Sequence, residues 1–163
     1  MSEKTYNVLF LCTGNSARSI MGEVLMNNVG RGRFKAYSAG SHPTGKVNPF
    51  AVETMQSMGF STEGLRSKSW DEFERPGAPT FDFIFTVCDN AAGEVCPAWL
   101  GNPVTAHWGV EDPAAVTDPE NARKEFLRVA LMLKRRIELF LSLPFDKMET
   151  PAIRDQIKAI GKS

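Results

Sequence analysis

The stretch Tyr6–Ile20, read Y-N-V-L-F-L-C-T-G-N-S-A-R-S-I, constrains this chain more than any other. An apolar run from Val8 to Leu11 stops at Cys12, and a helical pattern begins after Ser19. Such a short run fits a strand buried on both faces, as in a parallel sheet. Where a strand turns into a helix, backbone N–H groups lack partners and the helix dipole favours negative charge. The residues between, Thr13, Gly14, Asn15, Ser16, Ala17 and Arg18, are predicted to form an oxyanion-binding loop. Gly14 and Asn15 tolerate the left-handed backbone such a loop needs, and Arg18 adds a fork of donors matched to a tetrahedral anion. Cys12, at the centre of that field, should have its thiolate form favoured and act as a nucleophile. A Cys followed six residues later by an Arg is a common chance pattern, and most free Cys are small buried hydrophobes. The strand before, the Gly inside, Ser19 after the Arg and the helix beyond raise this example above chance.

The remainder of the chain alternates strand and helix signals. Residues 6–11 read as a strand and 19–29 as a helix whose inner face carries Ile20, Met21, Val24, Leu25 and Asn28. A strand follows over Phe34–Ser38, then a Gly/Pro/Thr-rich loop over Ser41–Asn48. Asn48 and Pro49 suit the N-cap and first position of a helix running to about Met58, which Gly59 closes. Strands are expected over Phe81–Val87 and Pro103–His107. A long helix over about 119–141 opens at Asp118-Pro119-Glu120 and repeats Phe126, Val129, Ala130, Leu133, Ile137 and Phe140 at helical spacing. After Pro144 a last amphipathic helix runs from Thr150 to about Ile160. Alternation of this kind predicts an α/β fold, with a four-stranded parallel sheet and helices on both faces. A single domain over 1–143 would carry a C-terminal extension over 144–163. Cys12 follows the first strand and Cys88 the third, so both are expected at the carboxyl edge of the sheet, where α/β proteins bind ligands.

Charge and composition narrow the function. Nineteen basic and nineteen acidic residues balance, which argues against non-specific nucleic-acid binding. No apolar run approaches the ~20 residues that span a bilayer, and Met1-Ser2-Glu3-Lys4 lacks the apolar segment of an export signal. A cytoplasmic protein without nucleic-acid or membrane partners is expected. Three Cys in such a chain do not suggest a disulfide framework, and with no His at ligand spacing they do not suggest zinc. Cys88 and Cys96, in T-V-C-D-N-A-A-G-E-V-C-P, are either a resolving pair across a loop or two inert thiols. In H-W-G-V-E-D-P-A (107–114), Asp112 stands before Pro113 as a candidate general acid. Glu111 is a rival carboxylate, and His107 and Trp108 read as packing residues.

Four segments together resemble the low-molecular-weight tyrosine phosphatase superfamily: C-T-G-N-S-A-R-S (12–19), Y-S-A-G (37–40), V-N-P (47–49) and H-W-G-V-E-D-P-A. Within it, Cys88, Cys96 and the last segment resemble the thioredoxin-coupled arsenate reductases. The resemblance implies that Cys12 attacks arsenate held by the loop amides and Arg18, that Ser19 hydrogen-bonds the thiolate, and that Asp112 protonates the departing hydroxyl. It further implies that Cys88 attacks Cys12 to release arsenite, and that Cys96 then takes the disulfide to Cys88–Cys96 for reduction by thioredoxin or a similar dithiol carrier. No bound cofactor is expected. A phosphatase forming a phosphocysteine on Cys12 is the alternative; the Tyr that usually follows Asp-Pro in such enzymes is replaced here by Ala114 and Ala115. Asn15, Glu23 and Ser38 match positions that hold a potassium ion in some members, but the family's further aspartate is replaced near Trp70, and no metal is expected.

Overall fold

The apolar run after Thr5 forms β1 (Tyr6–Leu11), and Val8, Leu9, Phe10 and Leu11 are all buried. A computed structural model describes residues 5–87, 103–147 and 149–162. Among them, β1 sits inside a four-stranded sheet with β2 (Phe34–Ala39), β3 (Phe83–Thr86) and β4 (Val104–His107), in the order β2-β1-β3-β4. Every pairing is parallel, as the alternation of elements requires. The register sets Leu11 beside Ala39 on one side and beside Thr86 on the other. The carboxyl ends of β1 and β3 therefore share one edge.

The strand residues divide between two cores. Val8, Phe10, Phe83 and Phe85 point into the larger one, beneath α1 (Arg18–Val29), α2 (Pro49–Ser57) and α3 (Pro119–Leu141). Leu9, Leu11 and Ile84 point the other way, onto Phe81, Trp70 and Phe73; the last two belong to a short 3-10 turn over Trp70–Phe73. The sheet is thus covered by helical structure on both faces. Helix α1 lies so close to β1 that a Cβ on Gly22 would stand 2.8 Å from the Phe10 ring.

Local signals explain where the helices start. The Asn48 side chain accepts the Phe50 N–H at 2.9 Å and the Asp118 side chain accepts the Asn121 N–H at 3.1 Å, each followed by Pro in the first turn. The six apolar residues named in α3 are all fully buried. In α1 the buried surface is wider than a single stripe, because the helix packs against β2 as well as α2 and α3. Asn28 lies outside that surface and is exposed, its amide capping the Val24 carbonyl at 2.7 Å. The third strand is shorter than expected. Phe81 precedes it and turns into the smaller core, while Val87 follows it.

The C-terminal segment folds back on the larger core. Phe145, Ile157 and Ile160 join that core, and α4 (Thr150–Ile160) packs on β4 and α3. The Trp108 indole N–H donates to the Ile157 carbonyl at 3.0 Å, and the ring stacks on Phe85 with centroids 3.8 Å apart. Removing a fully buried Ile side chain costs about 2–5 kcal/mol. Ile157→Ala should therefore lower unfolding free energy by that amount in a denaturant titration, with one transition retained. An unchanged midpoint would mean that α4 is detached in solution.

Candidate active site

The loop between β1 and α1 is shaped from outside. The carbonyl oxygens of Thr13, Gly14 and Ser16 accept the N–H groups of His42, Thr44 and Asn48 at 2.9, 3.0 and 2.8 Å, and the Ser67 hydroxyl also donates to Gly14 at 3.2 Å. Each peptide is planar, with N–H and C=O on opposite sides. Fastening the Thr13 and Ser16 carbonyls to this strap turns the N–H groups of Gly14 and Ala17 to the inner side. Both residues line a cavity of about 260 Å³ together with Cys12, Thr13, Ser16, Arg18, Thr44 and Asp112. Inward amides beside the first turn of α1 make a site for a tetrahedral anion.

Asn15 holds the bend. Its φ of 45° is the left-handed conformation anticipated from its residue type, whereas Gly14, expected to share that backbone, does not adopt a positive φ; the Asn15 side chain is fully buried. The carboxamide donates to the Ser19 hydroxyl at 2.9 Å and accepts the Lys68 N–H at 2.8 Å. Ser19 is also fully buried and uses a lone pair for Asn15. Its hydroxyl proton is thereby directed elsewhere. Gly40 lies under the loop, where a Cβ would stand 2.4 Å from the Thr13 carbonyl and 2.6 Å from that of Cys12.

Cys12 is 5% exposed and lines the cavity. Arg18 enters from α1 and connects the cavity to the segment after β4. Its Nη1 donates to the Val110 carbonyl at 3.0 Å and its Nη2 stands 3.8 Å from Asp112 Oδ2. That segment is pinned residue by residue. Trp108 N–H bonds Thr86, Val110 N–H bonds Val87, and the buried Arg136 donates to the Gly109 carbonyl at 3.0 Å. Of the two candidate carboxylates, Asp112 lines the cavity, whereas Glu111 is exposed and pairs with Arg128 of α3 at 3.2 Å. His107 stays at the end of β4, bonded to the Thr86 hydroxyl at 2.8 Å.

Cys88 and Cys96 lie outside the described residues. The Val87 N–H, just after β3, donates to the Leu11 carbonyl at 2.9 Å, so the chain leaves β3 against the strand that delivers Cys12.

Beside Asn15, the other two residues matched to a potassium site form a cluster. Ser38 donates to Glu23 Oε1 at 2.7 Å, and Lys68 Nζ stands 3.4 Å from the Ser38 hydroxyl and 3.6 Å from the same Glu23 oxygen. Burial pulls the Lys68 pKa below its ordinary value, against the opposing pull of Glu23. Lys68, Gly40, Thr44 and the Val110 carbonyl are site elements that sequence reasoning did not assign. Two of them had a signal, Gly40 as the last residue of Y-S-A-G and Val110 within H-W-G-V-E-D-P-A.

Comparison with known proteins agrees with this geometry. A family model described as "Low molecular weight phosphotyrosine protein phosphatase" matches residues 7–150. An arsenate reductase of Halalkalibacterium halodurans is 34% identical over 134 residues, covering 82% of this chain and 93% of that protein. Among solved structures, an arsenate reductase in the phosphate-binding state has a TM-score of 0.70 at 25% identity, covering 85% of this chain and 98% of the other. A low-molecular-weight phosphotyrosine phosphatase of Vibrio cholerae shares the fold, with a TM-score of 0.62 at 23% identity over 79% of this chain and 90% of its own.

If Gly40 is what lets the loop close, Gly40→Ala should weaken inorganic phosphate binding about tenfold or more, since overpacking of this kind costs about 1–3 kcal/mol. Calorimetry on the folded variant measures it. Wild-type affinity would show that the loop tolerates displacement.

Proposed function

Because the chain belongs to the low molecular weight phosphotyrosine protein phosphatase family, we propose that its anion cradle serves a cysteine nucleophile and that its reaction is the reduction of arsenate to arsenite. The reading is supported by the relatives named arsenate reductase, with which it shares about a third of its residues along most of both chains. The observation that carries the mechanism is the bond from Val87 N–H to the Leu11 carbonyl. Cys88 is next in sequence after Val87, and Cys12 next after Leu11.

In the proposed reaction the loop amides and Arg18 hold arsenate, and the Cys12 sulfur attacks arsenic. Asp112, beside Arg18, gives a proton to the hydroxyl that leaves as water. Cys88 thiolate then attacks the Cys12 sulfur. The electron pair of the sulfur–arsenic bond passes to arsenic, releasing arsenite and leaving a Cys12–Cys88 disulfide. Attack by Cys96 on Cys88 expels the Cys12 thiolate and moves the disulfide to Cys88–Cys96. A dithiol carrier of the thioredoxin kind reduces that disulfide and supplies the two electrons. No resident cofactor takes part in this scheme, and it proceeds in a reducing compartment such as the cytoplasm.

Phosphate and arsenate are nearly isosteric, so the same cradle suits a phosphatase in which Cys12 becomes phosphorylated and Asp112 serves as acid and then base. Two observations rank that reading second. None of the described residues lining the cavity is aromatic, whereas a phosphotyrosine ring needs an apolar wall. The two tyrosines are engaged elsewhere, Tyr6 stacked on Phe34 and Tyr37 edge-on to Phe73 and Phe81.

The deciding assay measures arsenite formed in the presence of thioredoxin, thioredoxin reductase and NADPH. Cys88→Ser and Cys96→Ser should each abolish repeated turnover while sparing hydrolysis of an aryl phosphate. Parallel loss of both activities would count against the relay. Asp112→Asn should slow adduct formation about a hundredfold or more with phosphate affinity near wild type; collapse of binding would instead make Asp112 a structural residue.

A further inference from the structure

Lys68 comes from a segment with no helical or strand signal, yet its ammonium is among the most enclosed charges beside the cradle, with 9% of its side chain exposed. Three oxygens surround it: the Arg66 carbonyl at 3.2 Å, the Ser38 hydroxyl at 3.4 Å and Glu23 Oε1 at 3.6 Å. Ser38 and Glu23 are two of the residues that the family resemblance matches to a potassium site. The third, Asn15, accepts the Lys68 backbone N–H. A potassium ion does not fit this arrangement, because an ammonium of similar size and the same charge already stands among its oxygens.

We infer that Lys68 is a built-in cation of the anion cradle, balancing the Glu23 carboxylate so that this site needs no potassium. Two physical arguments lead there. A carboxylate that is 17% exposed, behind a loop built to receive an anion, opposes that anion unless a cation is held against it. The cluster is also joined to the bend of the cradle. Lys68 N–H bonds Asn15, Asn15 bonds Ser19, and the Lys68 carbonyl accepts the Gly40 N–H at 3.0 Å. Charge balance at Glu23 and the left-handed turn at Asn15 are thus parts of one network. The hydrogen bonds and ion pair described for Lys68 run to Asn15, Gly40, Ser38, Arg66 and Glu23, not to the cavity lining, and it acts as a positioning residue.

The inference rests on the anion-binding half of the proposed function alone, so it is tested without turnover, using inorganic phosphate. Phosphate affinity and melting temperature are measured in potassium chloride and in choline chloride at equal ionic strength. The wild type should give the same values in both salts, within about twofold in affinity. Lys68→Gln keeps the backbone bonds to Asn15 and Gly40 but removes the charge. It should bind phosphate about tenfold more weakly in choline and recover most of that affinity in potassium, whereas Lys68→Arg should stay indifferent to the salt. A Lys68→Gln, Glu23→Gln double variant removes both charges and should lose the potassium response; it also serves if the single variant does not fold. A potassium-specific effect on the wild type would overturn the inference. So would unchanged affinity in Lys68→Gln, weakening that potassium does not repair, or a potassium response in the double variant. Failure of the reductase assay would leave every one of these results readable.

Discussion

A peptide carbonyl turned away from a loop obliges the next N–H to face the other way, and in this protein that constraint shapes the candidate anion site. The strap after β2 fastens the carbonyls of Thr13, Gly14 and Ser16. The strap can do so only because Gly40 lets the end of β2 pass under the loop without a side chain. The amides on the inner side need no rearrangement when an anion arrives, because their partners on the outer side are already bonded. Preorganised dipoles of this kind are worth more than mobile ones, since water does not have to be reordered around them.

Arg18 extends the same economy to the second half of the site. One end of its guanidinium is bonded to the Val110 carbonyl and the other approaches Asp112, so a cation lining the cavity is also tied to the segment that bears Asp112. That segment is held by β3, by Arg136 of α3 and, through Trp108, by the C-terminal helix. The loop from Cys12 to Arg18 and the segment that bears Asp112 are therefore tied into one hydrogen-bonded frame. Arsenate and phosphate are nearly isosteric, so under the proposed function it is the further thiols that would set a reductase apart from a phosphatase on such a frame.

Much of this was legible in the sequence, for identifiable reasons. The Val8–Leu11 run, the Asn48 and Asp118 caps and the apolar repeat of α3 are local signals, and local physics decides them. Asn15 was legible because few residue types adopt its backbone conformation. Lys68 was not. A lysine between serines in R-S-K-S is ordinarily a solvated surface residue, and its enclosure comes from Ser38 and Glu23, thirty and forty-five positions away. Separating Asp112 from Glu111 was equally beyond spacing, since only the fold places Asp112 in the cavity lining and Glu111 beside Arg128 of α3. The shortening of the third strand has the same origin: Phe81 serves the smaller core with Leu9, Leu11, Ala39 and Ile84, against which Trp70 and Phe73 pack from a turn that carries no period of its own.

The bonds that shape the cradle span long stretches of chain. Lys68 reaches Asn15 across 53 positions, Val110 reaches Arg18 across 92, and Trp108 reaches Ile157 across a further 49. Contacts of such separation close late, because the entropy of the intervening loops opposes them until the rest of the fold compensates. On the ribosome, where the amino end emerges first, the residues from Cys12 to Arg18 are thus exposed well before the partners that give them their form have been made. The cradle acquires its shape as a property of the finished polypeptide, although six of the eight described residues that line it belong to the first eighth of the sequence.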